Sequence, residues 1–208
     1  ILIASITLLG AVGNVFIIKI FLRLGISDGM NISLLSLALF DLFYLIPACI
    51  NSVSVMLQGV EELSSFKVWF PVDPDVVHVI STNIGACFYA LSMLVTTFIT
   101  VVRCLAVVSP LKYRTLLSRT TTAIIISSFA VVSVLFAVVL LVYIGVFSQF
   151  VSNINTTRLV LWTSPKRALI KDTIFGIRDV FLPLTSQAIV GICVIIMASY
   201  LQKASKFR

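Results

Sequence analysis

An all-α fold, built as a polytopic bundle of membrane-crossing helices, is what this sequence predicts, and three observations predict it. Of the 208 residues, 60% are hydrophobic and 11% charged, with a mean hydropathy of +1.15. A soluble chain of this size carries nearer a quarter charged residues and could not hide so much apolar surface. The apolar residues fall in five long runs, and about 20 such residues cross a bilayer as a helix. The runs are continuous, whereas the strands of a membrane barrel are about ten residues long and alternate polar with apolar. The expected spans are about 1–24, 32–57, 78–108, 121–147 and 169–201, in one transmembrane domain over 1–208.

The net charge of +7 would suggest nucleic acid in a soluble protein. Here the bases sit mostly in the breaks between runs, where they set topology, so no nucleic-acid partner is expected. Cys49, Cys87, Cys104 and Cys193 lie in or at the ends of apolar runs, with neither a Cys-x-x-Cys pair nor Cys/His metal spacing. They read as buried free thiols. The chain opens at Ile1, already inside an apolar run and without a signal-peptide pattern, and stops in a basic segment at Arg208. A fragment is expected.

Each span has its own markers. The first carries Gly10, Gly13 and Asn14, small residues that let helices approach closely in lipid. The second contains Asp41, the only acid inside the first four spans, and then Pro47. An intramembrane carboxylate is costly unless it faces a cavity, a cation or a hydrogen-bonding partner, so Asp41 is a candidate functional residue, and Pro47 should kink its helix. The break over 58–76 is acidic and turn-rich, with Glu61, Glu62, Asp73, Asp75, Pro71 and Pro74. The third span passes Asn83, Tyr89 and Ser92 before ending on Arg103, ahead of Pro110. The fourth precedes a break containing Asn155-Thr156-Thr157, a glycosylation sequon usable only on the non-cytoplasmic side. The fifth holds Pro183, another expected kink, about one turn after Arg178 and Asp179. These two can pair with each other or with neighbours, or lie near the interface.

Topology follows from the bases. With the front end outside, the inner set is Lys19, Arg23, Lys112, Arg114, Arg119, Lys203, Lys206 and Arg208, eight in all. The outer set is Lys67, Arg158, Lys166, Arg167 and Lys171, five in all. The excess of inner bases favours this orientation.

Four motifs carry a family resemblance. Arg103, Pro110, Leu111, Lys112 and Tyr113 match in kind and spacing the third-helix end and second cytoplasmic loop of rhodopsin-like (class A) G-protein-coupled receptors. The segment from Leu35 to Leu42 resembles their Leu-Ala-x-x-Asp-Leu box, Gly13-Asn14 their first-helix pair, and Phe181-Leu182-Pro183 their fifth-helix proline. The sequence departs from the pattern at Val102, where relatives carry an acid, and at Cys104, where they carry an aromatic; the fourth span lacks their Trp.

The resemblance implies the first five helices of a seven-transmembrane receptor in the plasma membrane, with its front end extracellular. It implies that Asp41 and Ser92, with Asn14 nearby, can hold a structural sodium ion; no other cofactor is expected. Arg103 would be the switch, meeting a heterotrimeric G protein together with the Pro110–Tyr113 loop. Without an acid at Val102, weaker restraint of the resting state is expected. Asn83, Gly85, Tyr89 and Arg178 would line a ligand pocket. Gly85 stands where amine receptors carry an Asp, so the extracellular ligand is expected to be a peptide or small chemosensory molecule, not a biogenic amine. His78 stands near the position of the family's first disulfide cysteine, and the loop after the fourth span has no cysteine, so no bridge is expected. The features taken with the tail from Ser199 to Arg208 are similar to invertebrate peptide or chemosensory receptors.

A secondary transporter or channel fragment is the competing class. It would show repeated halves and several midplane charges, and the sequence shows no repeat and one central acid. An intramembrane enzyme would need a nucleophile with a base, or paired carboxylates; no enzyme is expected.

Overall fold

The structure, a computed structural model, describes residues 2–25, 28–65, 67–109, 118–151 and 156–206. Pro110, Leu111, Lys112, Tyr113 and Asn155 lie outside the described residues. The helices α1 (Leu2–Leu24), α2 (Gly29–Leu63), α3 (Pro74–Val108) and α4 (Arg119–Val142) come first. The strands β1 (Ile144–Val151) and β2 (Thr156–Thr163) follow. A last continuous helix comprises α5 (Arg167–Phe175), a π-helical segment (Gly176–Phe181) and α6 (Leu182–Lys206). Among the described residues, five helical stretches are long and apolar enough to cross a membrane.

Local chemistry fixes the helix ends. Gly25, with φ +86°, follows α1 in the left-handed conformation that glycine adopts without a Cβ penalty. Asp73 caps α3 by accepting from Asp75 N at 3.0 Å, with Pro74 in the first turn, where no partner for its missing N–H is needed. Ser118 caps α4 by accepting from Thr121 N at 3.2 Å. The 35 residues of α2 and of α3 extend, at about 1.5 Å each, well past a hydrocarbon core of about 30 Å.

Helix α3 is the centre of the bundle. Of its most apolar window 28% of residues are buried, against 6% for α1, and it packs against α2, α4 and α6. Its core stripe is Cys87, Leu91, Val95, Ile99 and Val102, spaced at four, four, four and three residues, which keeps them on one helical face. Phe40 of α2 and Phe129 of α4 pack against this stripe in both of the clusters it forms. Small residues bring the helices close: Ala38 and Ala90 are each 2% exposed. A Cβ on Gly85 would stand 3.3 Å from Pro47 Cβ, so glycine permits α3 to approach α2 at its proline. Large apolar side chains of α1, among them Leu8, Leu9 and Phe16, point away from the bundle.

The structure corrects the acidic break, where residues 58–63 instead end α2 and Glu61 is buried, and it corrects one span. The fourth was expected to run to 147, but α4 stops at Val142 and residues 144–147 begin β1. Strands β1 and β2 form an antiparallel hairpin with Ile144 opposite Thr163 and Val151 opposite Thr156. Its β-branched and aromatic residues favour a pleated surface, and hydropathy alone cannot separate such an apolar strand start from the end of a helix.

An ionic and backbone network ties the hairpin to α2 and α3. Arg158 Nη2 of β2 donates to Glu61 Oε2 at 2.8 Å and Oε1 at 3.1 Å, and lies 3.3 Å from Asp73 Oδ1. Glu61, at the end of α2 and 3% exposed, also accepts from Phe70 N at 2.9 Å. Leu159 N donates to Pro71 O and Asp73 N to Leu159 O, both at 2.9 Å. The four cysteines are free, Cys87, Cys104 and Cys193 buried but Cys49 exposed, contrary to the expectation of four buried thiols, so these bonds join the hairpin to the start of α3 without a disulfide.

Candidate functional site

A cavity of about 380 Å³ opens at the hairpin end of the bundle, between the first turns of α3 and the α5–π segment. Pro183 explains the local backbone. It lacks an N–H and its ring crowds the carbonyl four residues back, and just before it the helix widens: Leu182 N donates to Ile177 O, five residues back. The widened turn carries Arg178 into the bundle, where it is 7% exposed. Arg178 and Asp179 pair with each other, Nε to Oδ1 at 2.9 Å and Nη2 to Oδ2 at 2.7 Å. Arg178 also lines the cavity, with Asn83 and His78 on α3 and Arg167, Lys171 and Phe175 on α5.

A second cavity of about 430 Å³ adjoins the first, sharing Thr82 and Ala86. It lies between α2 and α3 and is lined by Tyr44, Pro47, Asn51, Gly85 and Tyr89 among others. The Tyr44 and Tyr89 rings stand 6.1 Å apart, and Thr82 Oγ1 donates to Asn51 Oδ1 at 3.4 Å. The residues singled out for a ligand pocket therefore divide: Asn83 and Arg178 line one cavity, Gly85 and Tyr89 the other. Asn83 spends a donor locally, Nδ2 to Val79 O at 2.8 Å.

Deeper in the bundle, Ser92 Oγ donates to Asp41 Oδ1 across the α2–α3 contact. Asp41 is twelve residues into α2, roughly 18 Å along its axis at about 1.5 Å per residue. Asn14 is half-buried on α1, and among the described residues no hydrogen bond joins it to this pair. Its level is nonetheless that of Asp41. A Cβ on Gly10 would lie 3.4 Å from Leu45 Cδ1, and one turn further along both antiparallel helices come Asn14 and Asp41. Carboxylate and hydroxyl oxygens suit a hard cation, so this pair fits part of a sodium shell, the rest of which would come from water or other groups.

At the opposite end, Arg103 lies one residue past the core stripe. That step of about 100° turns it outward: Arg103 is exposed while Val102 is 2% exposed. Among the described residues Arg103 has no ion pair or hydrogen bond. Cys104, 7% exposed, faces Cys193 of α6.

Sequence reasoning passed over several residues of the hairpin end. Arg167 and Lys171 were counted only for topology, and His78 only as an absent cysteine. The spacing 167, 171, 175 and 178 is four, four and three, one face of a helix, and it puts Arg167, Lys171, Phe175 and Arg178 on one side. That pattern was readable. The Glu61–Arg158 pair joins residues 97 positions apart and had no local marker.

No curated protein sequence gave a match. The sequence model of one protein family, described as the serpentine type 7TM GPCR chemoreceptor Srx, matches residues 5–206. That match takes in every described helix from α1 to α6 and the hairpin between them. With apolar helices able to cross a bilayer several times, the chain is a multi-pass membrane protein, and it belongs to the serpentine type 7TM GPCR chemoreceptor Srx family.

Proposed function

We propose that this chain works in the plasma membrane with its front end outside, as a rhodopsin-like receptor that takes a small chemosensory molecule at the hairpin end. It reports that molecule to a heterotrimeric G protein at the Arg103 end. The observation that carries the reading is the cavity of about 380 Å³, whose wall includes Asn83, Arg167 and Arg178, at the opposite end of α3 from an exposed Arg103 with no acid partner among the described residues. Pockets for small molecules run from roughly 300 to 1,000 Å³, so the volume favours a small ligand over a peptide.

A ligand there touches α3 on one side and the π-widened segment on the other. By binding one arrangement of these two elements better than another, it shifts their equilibrium. Helix α3 spans both ends and packs on α2, α4 and α6, which makes it the element through which the shift reaches Arg103. Arg103 and the Pro110, Leu111, Lys112 and Tyr113 loop then meet the G protein. Asp41 and Ser92 supply two oxygens to a sodium ion that favours the resting state, and Asn14 stands at the same level. The reading includes no catalytic step.

The test is a G-protein dissociation assay in cells expressing the receptor, challenged with small polar volatiles and metabolites. A response that disappears in Arg103→Gln, with surface expression kept, supports the proposal. A response unchanged in Arg103→Gln, or uptake of the molecule without G-protein dissociation, contradicts it.

A further inference from the structure

Seven buried side-chain nitrogen or oxygen atoms lack a hydrogen-bond partner among the described residues, and three of them belong to residues lining one cavity. They are Arg178 Nη1, Arg167 Nε and His78 Nδ1. A buried polar atom without a partner is destabilising, the more so when charged, so three around one cavity point to a common cause.

The geometry narrows it. Arg178, 7% exposed, commits Nε and Nη2 to Asp179, and the pair fixes the guanidinium plane while Nη1 stays free. Lys171 and Arg167 come to the same cavity from about two and three turns earlier. The cavity thus holds three cations against one anion, a balance of +2 with His78 neutral. The remaining wall includes Val79, Ala86, Leu140 and Phe175, which is apolar.

We infer that this cavity binds a small organic anion, a carboxylate on a compact apolar body, with the carboxylate on the guanidinium groups of Arg178 and Arg167 and the body against Leu140 and Phe175. The inference rests on the receptor reading above and names its ligand class. Arginine N–H groups match carboxylate oxygens in geometry and charge. His78 Nδ1 donates to the same group in one of its tautomers. A cationic ligand would meet the surplus positive charge, and a neutral one would leave the two guanidinium donors without an anion.

A lipid headgroup phosphate offers the same chemistry from a different source, and the experiment separates the two. The receptor is placed in nanodiscs of phosphatidylcholine and titrated with 3-phenylpropanoate, 4-phenylbutanoate and 5-phenylpentanoate, each beside its primary amide and its amine. At least one acid is expected to bind tenfold or more above its amide, about the worth of one charge-assisted hydrogen bond, with the amine weakest. Arg178→Gln should remove that preference and Arg167→Gln should reduce it. Because loss of Arg178 leaves Asp179 unpaired, Asp179→Asn is the companion variant: it keeps the arginine and should hold or raise acid affinity.

Acids that bind no better than their amides, or not at all, overturn the inference. So does a site filled by lipid, seen in a second set of nanodiscs that also contain phosphatidylglycerol as enrichment of that lipid around the parent receptor, which Arg178→Gln abolishes while no acid binds. Acid binding that never dissociates a G protein leaves the anion site standing and refutes the receptor reading. Dissociation driven only by neutral or basic molecules does the reverse.

Discussion

Arg178, on the π segment at the hairpin end, is 7% exposed and bonded twice to the aspartate that follows it. Arg103, near the far end of α3, follows a buried valine and stands exposed with no acid partner among the described residues. The same side chain thus meets two environments. At the hairpin end two arginines are paired and held: Arg158 joins Glu61 and Asp73 across three elements, and Asp179 fixes the plane of Arg178. At the other end Arg103 has no acid partner among the described residues and stands beside a stripe of apolar residues. A held charge can orient a ligand, and a free one is available to a partner outside the chain.

If the hairpin end is held by paired charges, breaking the most buried pair should have the largest effect. Glu61→Ala strips Arg158 of its main partner, and removing one member of a buried pair costs about 3 kcal/mol or more. Hydrogen exchange should show β1 and β2 opening first, and Glu61→Ala with Arg158→Ala should cost less than the two single changes added. An unchanged exchange rate in the hairpin would remove the first half of the contrast.

The middle of the bundle gives a smaller effect. Raising sodium chloride tenfold should stabilise the parent by up to about 1.4 kcal/mol, the linkage limit for one site, and choline chloride should not. Asp41→Asn should erase the difference in melting temperature between the two salts. A chain equally stable in both salts would leave the Asp41–Ser92 pair as a plain helix contact.

Packing at Gly85 bears on the same contrast. A Cβ there meets Pro47 at 3.3 Å, whereas at Gly13 nothing lies within 4 Å. Gly85→Ala should therefore be about 1 kcal/mol less stable than Gly13→Ala, since overpacking opposes the gain from helix propensity. Equal melting temperatures would show that α2 gives way at its proline.

The weakest response is expected at Arg103. An acid at Val102 would be buried at a position 2% exposed, so it is a poor way to supply the missing partner. Val107, one turn on and 37% exposed, is a better position. Val107→Glu should pair with Arg103 for about 0.3 kcal/mol and lower basal signalling by less than about twofold. A rise in basal signalling would contradict a restraining role for such a pair.

The helices were legible because a long, unbroken apolar run suits a bilayer and little else, and Asp41 and Ser92 stood out as polar groups in apolar surroundings. The hairpin was not legible. Ile144 to Phe147 prolong the apolar run of α4 without a break in hydropathy, and strand and helix look alike over four residues. Its tether was hidden because Glu61 and Arg158 are distant in sequence, and only the fold brings them to 2.8 Å. The cavity was half legible. Asn83 and Arg178 were singled out, while Arg167 and Lys171 looked like topology determinants because a basic cluster before a span has that common meaning. The π turn that carries Arg178 inward follows from Pro183, for which the sequence suggested a kink.

Signalling from the cavity to Arg103 requires the two ends to face opposite sides of the membrane. The direct measurement is labelling with a membrane-impermeant thiol reagent in intact cells, comparing Gln149→Cys on β1 with Val107→Cys on α3 against the parent chain. Labelling is expected at 149 in intact cells and at 107 only after permeabilisation. Labelling of position 107 from outside, or of both positions alike, would overturn the assignment of the two ends.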